Sequence, residues 1–114
     1  MEKEMLESRE SRALQRLLIQ LDGLALECDG MSSALSSILA REGVEHRVCV
    51  GTVDVIGVGT IPLHHWVALP DGLICDIRAR MWLGPSPAVP HGLFVPDERQ
   101  QYTRRAERAV TAWP

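Results

Sequence analysis

Aromatic residues are scarce in this 114-residue chain: Trp66, Trp82, Trp113, Tyr102 and Phe94 are all it has. A surface on which bases stack is therefore not expected. A basic excess is also missing. The net charge is -3, which gives no electrostatic reason to expect nucleic acid or an anionic membrane as partner. No long apolar run occurs, because Asp22 breaks the longest one, so no transmembrane helix is expected. Cysteine is limited to Cys28, Cys49 and Cys75, an odd number without the spacing of a disulfide framework. No Cys-x-x-Cys or His-x-x-x-His spacing suggests a metal site, and we expect neither metal nor other cofactor. The opening MEKEMLESRE is charged throughout, unlike a secretory signal. These absences together suggest a cytoplasmic protein with reduced thiols.

What is present is ordinary globular material, 46% apolar and 24% charged, enough for one domain over residues 1–114. Residues 2–21 have helical periodicity. Met5 or Leu6, Arg9, Ala13, Leu17 and Leu21 share a face, with Leu14 and Leu18 beside it, and Gly23 stands at the end. A second helix is predicted from about Asp29 to Glu42, with Met31, Leu35, Ile38 and Leu39 at helical spacing and Gly43 as its cap. Cys28 falls at or just before its first turn, on the apolar side.

The pattern then changes to strand. His46–Val53 alternates Val48, Val50 and Thr52 against Arg47, Cys49 and Gly51, and Val55–Val58 extends or pairs with it. Gly57, Gly59 and Pro62 predict a loop. Leu63–Leu69 and Leu73–Ile77 flank Pro70-Asp71-Gly72, a hairpin signal. Met81–Pro90, with its prolines and Gly84, reads as loop, and Gly92–Val95 as a short strand. Pro96-Asp97-Glu98 is the predicted start of a last helix carrying Arg99, Arg104, Arg105 and Arg108 on a solvated face. Helices first and antiparallel strands after give an α+β fold, a sheet packed against an N-terminal helix and a cysteine-bearing helix.

Three residues in this order suggest chemistry. A helix N-terminus favours a thiolate at Cys28. An imidazole on the first hairpin strand can take and return its proton, and Asp76 on the second strand can fix the ring. A three-residue turn at 70–72 pairs Trp66 with Asp76 and puts His64 on the carboxylate's face, whereas a turn of another length selects His65. Cys49 and Cys75 read as structural, His46 as a surface residue and Trp66 and Trp82 as core or cleft wall. His91, in its Pro-His-Gly loop, is either an ordinary polar loop residue or part of the cleft rim. Arg78 and Arg80 are alternative partners for Asp76.

The run Cys28-Asp-Gly-Met-Ser32-Ser-Ala34-Leu35, then His64-His-Trp66-Val67, then Asp71-Gly72 and Asp76-Ile77, resembles the transglutaminase-like branch of the papain-like cysteine enzymes, in particular small bacterial-type members. The likeness covers residues 25–80. It implies a Cys28–His64–Asp76 triad acting on an amide or ester carbonyl, as peptidase, deamidase or transglutaminase. His64 takes the His-x-Trp place, with His65 the alternative base, and Trp66, Trp82 and His91 are candidates for the substrate cleft. The implied partner is a protein, a peptide or a small amide, and the short chain leaves room for a protein that completes the cleft. Glu27 and Asp29 beside the thiol support an alternative, as does the lack of Asn or Gln just upstream, where Gln20 is the nearest. In that alternative the chain is a catalytically inactive binding module or a structural subunit of a larger assembly.

Overall fold

The computed structural model describes residues 9–110. The first turns of the predicted leading helix, including Met5 and Leu6, lie outside them, as does Trp113. Helix α1 spans Arg9–Ile19 and tightens into a 3₁₀ turn over Gln20–Gly23. Its buried stripe centres on Leu18, with Leu14, Ile19 and Leu21 packed beside it, while Ala13 is exposed. The contact face is therefore rotated from the one drawn through Ala13 and Leu17. Helix α2 spans Cys28–Arg41 and buries Met31, Leu35 and Leu39. Gly43 follows with φ 71°, a left-handed residue that closes the helix and suits glycine. No described helix is long and apolar enough to cross a membrane.

The sheet is five-stranded and antiparallel. Strands β1 (Arg47–Val55), β2 (Gly59–Ala68), β3 (Ile74–Asp76), β4 (Gly92–Phe94) and β5 (Gln100–Arg108) lie in the order β4-β3-β2-β1-β5. Short helix α3, Ala79–Leu83, follows β3. A mixed α+β fold with helices against an antiparallel sheet is thus present, with two local corrections. Gly59–Pro62 is strand rather than loop, because β1 pairs with it as far as Val55↔Gly59. The segment after Glu98 is strand rather than helix. Its sequence QQYTRRAER has helix-favouring residues, but β1 offers it an unpaired edge, and that ladder overrides local propensity.

Both faces of the sheet are covered, so simple alternation does not describe β1: Val48 and Cys49 are both buried. On one face Val67, Leu69, Leu73, Cys75, Ile77 and Leu93 pack on Leu18, Met31, Leu35 and Leu39. On the other, Cys49, Val53, Ile61, Trp66 and Ile74 pack under Ala79 and Val89, with Tyr102 and Phe94 at the margin. The start of Met81–Pro90, read as loop, is thus the second half of α3, and the stretch from Ala79 to Val89 serves as the second cover. His46, expected at the surface, is buried; its Nδ1–H donates to the Val44 carbonyl at 2.8 Å, and its Nε2 meets Ser36 Oγ at 2.7 Å. Midway along β1, Gly51 is required by space. A Cβ there would stand 2.0 Å from the Thr103 carbonyl oxygen of β5.

Candidate active site

The turn after β2 is the three-residue one. Leu69 N–H donates to Leu73 O at 2.8 Å, and the ladder runs Ala68↔Ile74 and Val67↔Cys75. Asp71, with φ 62°, and Gly72, with φ 79°, supply the left-handed backbone that closes it. The next opposed residues in this register are Trp66 and Asp76, which places His64 and Asp76 on one face. The His64 Nε2–H donates to Asp76 Oδ2 at 2.8 Å, and both side chains are buried. His65 points to the other face and makes no bond to Asp76.

Asp76 is a fully enclosed carboxylate whose acceptor sites are met by four donors. The Arg78 and Ala79 backbone N–H groups donate to Oδ1 at 2.9 and 3.0 Å. His64 and the Tyr102 hydroxyl share Oδ2, the latter at 2.7 Å. Burial of an ionised carboxylate is tolerable only with such compensation. Neither arginine weighed as its partner takes it. The Arg78 guanidinium turns away, and Arg80 Nε donates to Val89 O at 3.0 Å.

The β2–β3 ladder stops at Val67↔Cys75. Beyond that pair a narrow seam opens, lined by Cys28, Met31, Ser32 and Leu35 from α2 and by His65, Trp66, Asp76 and Ile77 from the strands. Cys28 is the first residue of α2 and is half-buried; Cys49 and Cys75 are buried. His64 Nδ1 is buried and makes no hydrogen bond of its own. Burial works against the imidazolium, but the Asp76 hydrogen bond and charge, seconded by the Cys28 sulfur acting as acceptor and negative charge, outweigh it and raise the His64 pKa to about 9. With Nε2 committed to Asp76, Nδ1 is the nitrogen left for Cys28. His65 differs: burial and the nearby Arg108 charge lower its pKa. Burial, with the Asp76 charge, pushes the Cys75 thiol up to about 12, which suits an inert core residue.

Two arginines for which the sequence suggested other roles, Arg78 as a partner of Asp76 and Arg108 on a solvated face, hold the cysteine helix in place. Arg78 is buried, and its guanidinium reaches the chain just before Cys28. It donates to Asp22 Oδ1 at 2.6 Å, to Leu24 O at 2.8 Å, and to Asp22 O and Leu26 O, while returning one bond to Ile77 O. Arg108, at the end of β5, donates to Ser32 Oγ, to Ser33 Oγ at 3.2 Å and to Asp29 O at 3.2 Å, all in the first turns of α2. An arginine read only as a solvated face is thus attached to the Cys28 helix. Tyr102 was hidden by the same misread segment.

The cleft candidates separate. Trp66 is 2% exposed, stacked near His64 with ring centroids 6.4 Å apart and edge-on to Tyr102, so it forms the wall of the seam and not an open surface. Trp82 is 55% exposed on α3. His91 lies in an open groove of about 580 Å³, lined also by Leu24, Leu26, Glu27, Ile77 and Met81. There its Nε2 meets Asp22 Oδ2 at 3.0 Å. The groove reaches Glu27, the neighbour of Cys28. Among the described residues no group of three or more His, Cys, Asp or Glu is placed to hold a metal ion. Gln20 is exposed in the 3₁₀ turn after α1. Comparison with protein-family models, with curated proteins and with solved structures gives no match for this chain.

Proposed function

We propose that the chain is a cysteine-dependent hydrolase or acyltransferase acting on an amide or ester carbonyl, of the transglutaminase-like kind its motifs resemble. The observation that carries this reading is the buried His64–Asp76 hydrogen bond beside a thiol at a helix start. Cys28 gives its proton to His64 Nδ1 and attacks the carbonyl carbon. The carbonyl oxygen, now negative, faces the Cys28 and Asp29 N–H groups at the start of α2, since Gly30 N–H already bonds Asp29 Oδ1 and Met31 N–H bonds Glu27 O. The tetrahedral centre collapses, the imidazolium protonates the departing amine or alkoxide, and a thioester on Cys28 remains. Water or an amine then attacks the thioester with His64 as base, and the thiol returns. Asp76 keeps the Nε2–H directed away, so that Nδ1 is the nitrogen that exchanges the proton. The groove along Leu24, Leu26 and Met81 offers the substrate an apolar bed next to Cys28.

The test is trapping. Incubation with p-nitrophenyl acetate is expected to release nitrophenol and leave an acetyl group on Cys28, located by mass spectrometry. Hydroxylamine is expected to discharge it. Cys28→Ala is expected to lose adduct and turnover while keeping the fold. Turnover that survives in Cys28→Ala contradicts the mechanism. A second reading, a binding module that keeps the fold without the chemistry, draws on two observations: Glu27 and Asp29 flank the thiol, and the seam behind it has no room for water. No adduct on Cys28 in a folded parent chain favours that reading.

A further inference from the structure

Asp76 Oδ2 receives two hydrogen bonds, from the base and from a phenol that no part of the proposed chemistry uses. Tyr102 comes from β5, the far edge of the sheet, and places its hydroxyl 2.7 Å from that oxygen. Its ring stands edge-on to Trp66 at 5.1 Å and tilted against Phe94 at 5.7 Å, so the hydroxyl has little freedom to turn elsewhere. Burial and the Asp76 charge both push the Tyr102 pKa up, so the group remains a phenol and a donor.

We infer that Tyr102 is a positioning residue which, by sharing Asp76 Oδ2 with His64, sets both the place of that carboxylate and the proton affinity of the base. The inference rests on reading Cys28 and His64 as nucleophile and base. The physical argument is competition at one oxygen. A carboxylate oxygen with one donor concentrates its charge on that donor, and a second donor draws part of that charge away. With Tyr102 in place the imidazolium is held less tightly, which makes it a better proton donor to a leaving group. The other groups acting on His64 are Cys28 from α2 and, on its own strand, His65; the Asp76 Oδ1 side is occupied by the Arg78 and Ala79 backbone donors.

Tyr102 is the sole tyrosine in the chain, which permits two perturbations of opposite sign. Tyr102→Phe keeps the ring and removes the hydroxyl. Growth on 3-fluorotyrosine keeps the whole side chain and makes its hydroxyl a stronger donor. The His64 midpoint, followed by NMR titration, is expected to rise by about 0.5 pH unit or more in Tyr102→Phe and to fall in the fluorinated protein. The pH profile of Cys28 alkylation is expected to move with it. A midpoint that stays fixed in both, or moves the same way in both, overturns the inference and leaves Tyr102 as core packing. If Tyr102→Phe fails to fold, the fluorinated protein alone decides: a fall in the midpoint supports the inference and an unchanged midpoint overturns it. Failure of the underlying reading shows elsewhere, in the parent chain, as Cys28 alkylation that ignores His64→Ala.

Discussion

His64 is fully buried, yet its pKa is raised to about 9 because its interactions with Asp76 and Cys28 exceed the cost of burying charge. An unfolded histidine titrates near 6.5. The folded state therefore binds the proton more tightly, and the stabilisation is complete below about pH 6.5 and lost as pH rises through about 9. The loss approaches about 3–4 kcal/mol at the upper end. Urea midpoints measured across that range are expected to fall in the parent and to stay nearly flat in His64→Gln; an equal fall in both contradicts the assignment. At this scale the sequence was informative where geometry is local. Cys28 sits at a helix start, and His64 meets Asp76 across a turn whose length fixes the register. Tyr102 and Arg108 were invisible because they reach Asp76 and Ser32 across separations of 26 and 76 residues. His46 was misplaced for a simpler reason: a polar residue ahead of a strand reads as exposed unless Ser36 and the Val44 carbonyl are known to face it.

Among the elements, the two helices, the hairpin and β4 follow from periodicity and turn chemistry. β5 does not. It is a polar edge strand without apolar alternation, the Pro96-Asp97 turn before it reads equally as a helix start, and its pairing with β1 is a tertiary fact. The stretch between α1 and α2 is likewise held from afar, by Arg78. Its guanidinium is buried and serves the Asp22, Leu24 and Leu26 carbonyls that lead into Cys28. Asp22 answers with its carboxylate. Burial alone would raise the Asp22 pKa, but the hydrogen bond from Arg78 and the approach of His91 lower it. Arg78→Met keeps much of the stem and strands those acceptors, with an expected cost of about 2–4 kcal/mol by thermal or urea unfolding. Arg78→Lys is expected to recover little, because one ammonium cannot serve acceptors arranged for a guanidinium. Full recovery by lysine would show that charge alone holds the segment.

For the whole molecule, the arrangement shows how the candidate site residues are brought together. Helix α2 lies on one face of the sheet and the His64–Asp76 pair on the other, and they meet where the β2–β3 ladder ends. β5 then ties both halves from the far edge, with Tyr102 on the carboxylate and Arg108 on the helix. The measurement closest to the central claim is the rate at which iodoacetamide alkylates Cys28 between about pH 5 and 9, in the parent, in His64→Ala and in His65→Ala. The account predicts that the parent and His65→Ala react alike, and that His64→Ala reacts about 10-fold more slowly at the acid end. Three superimposable profiles, or a loss confined to His65→Ala, would contradict it.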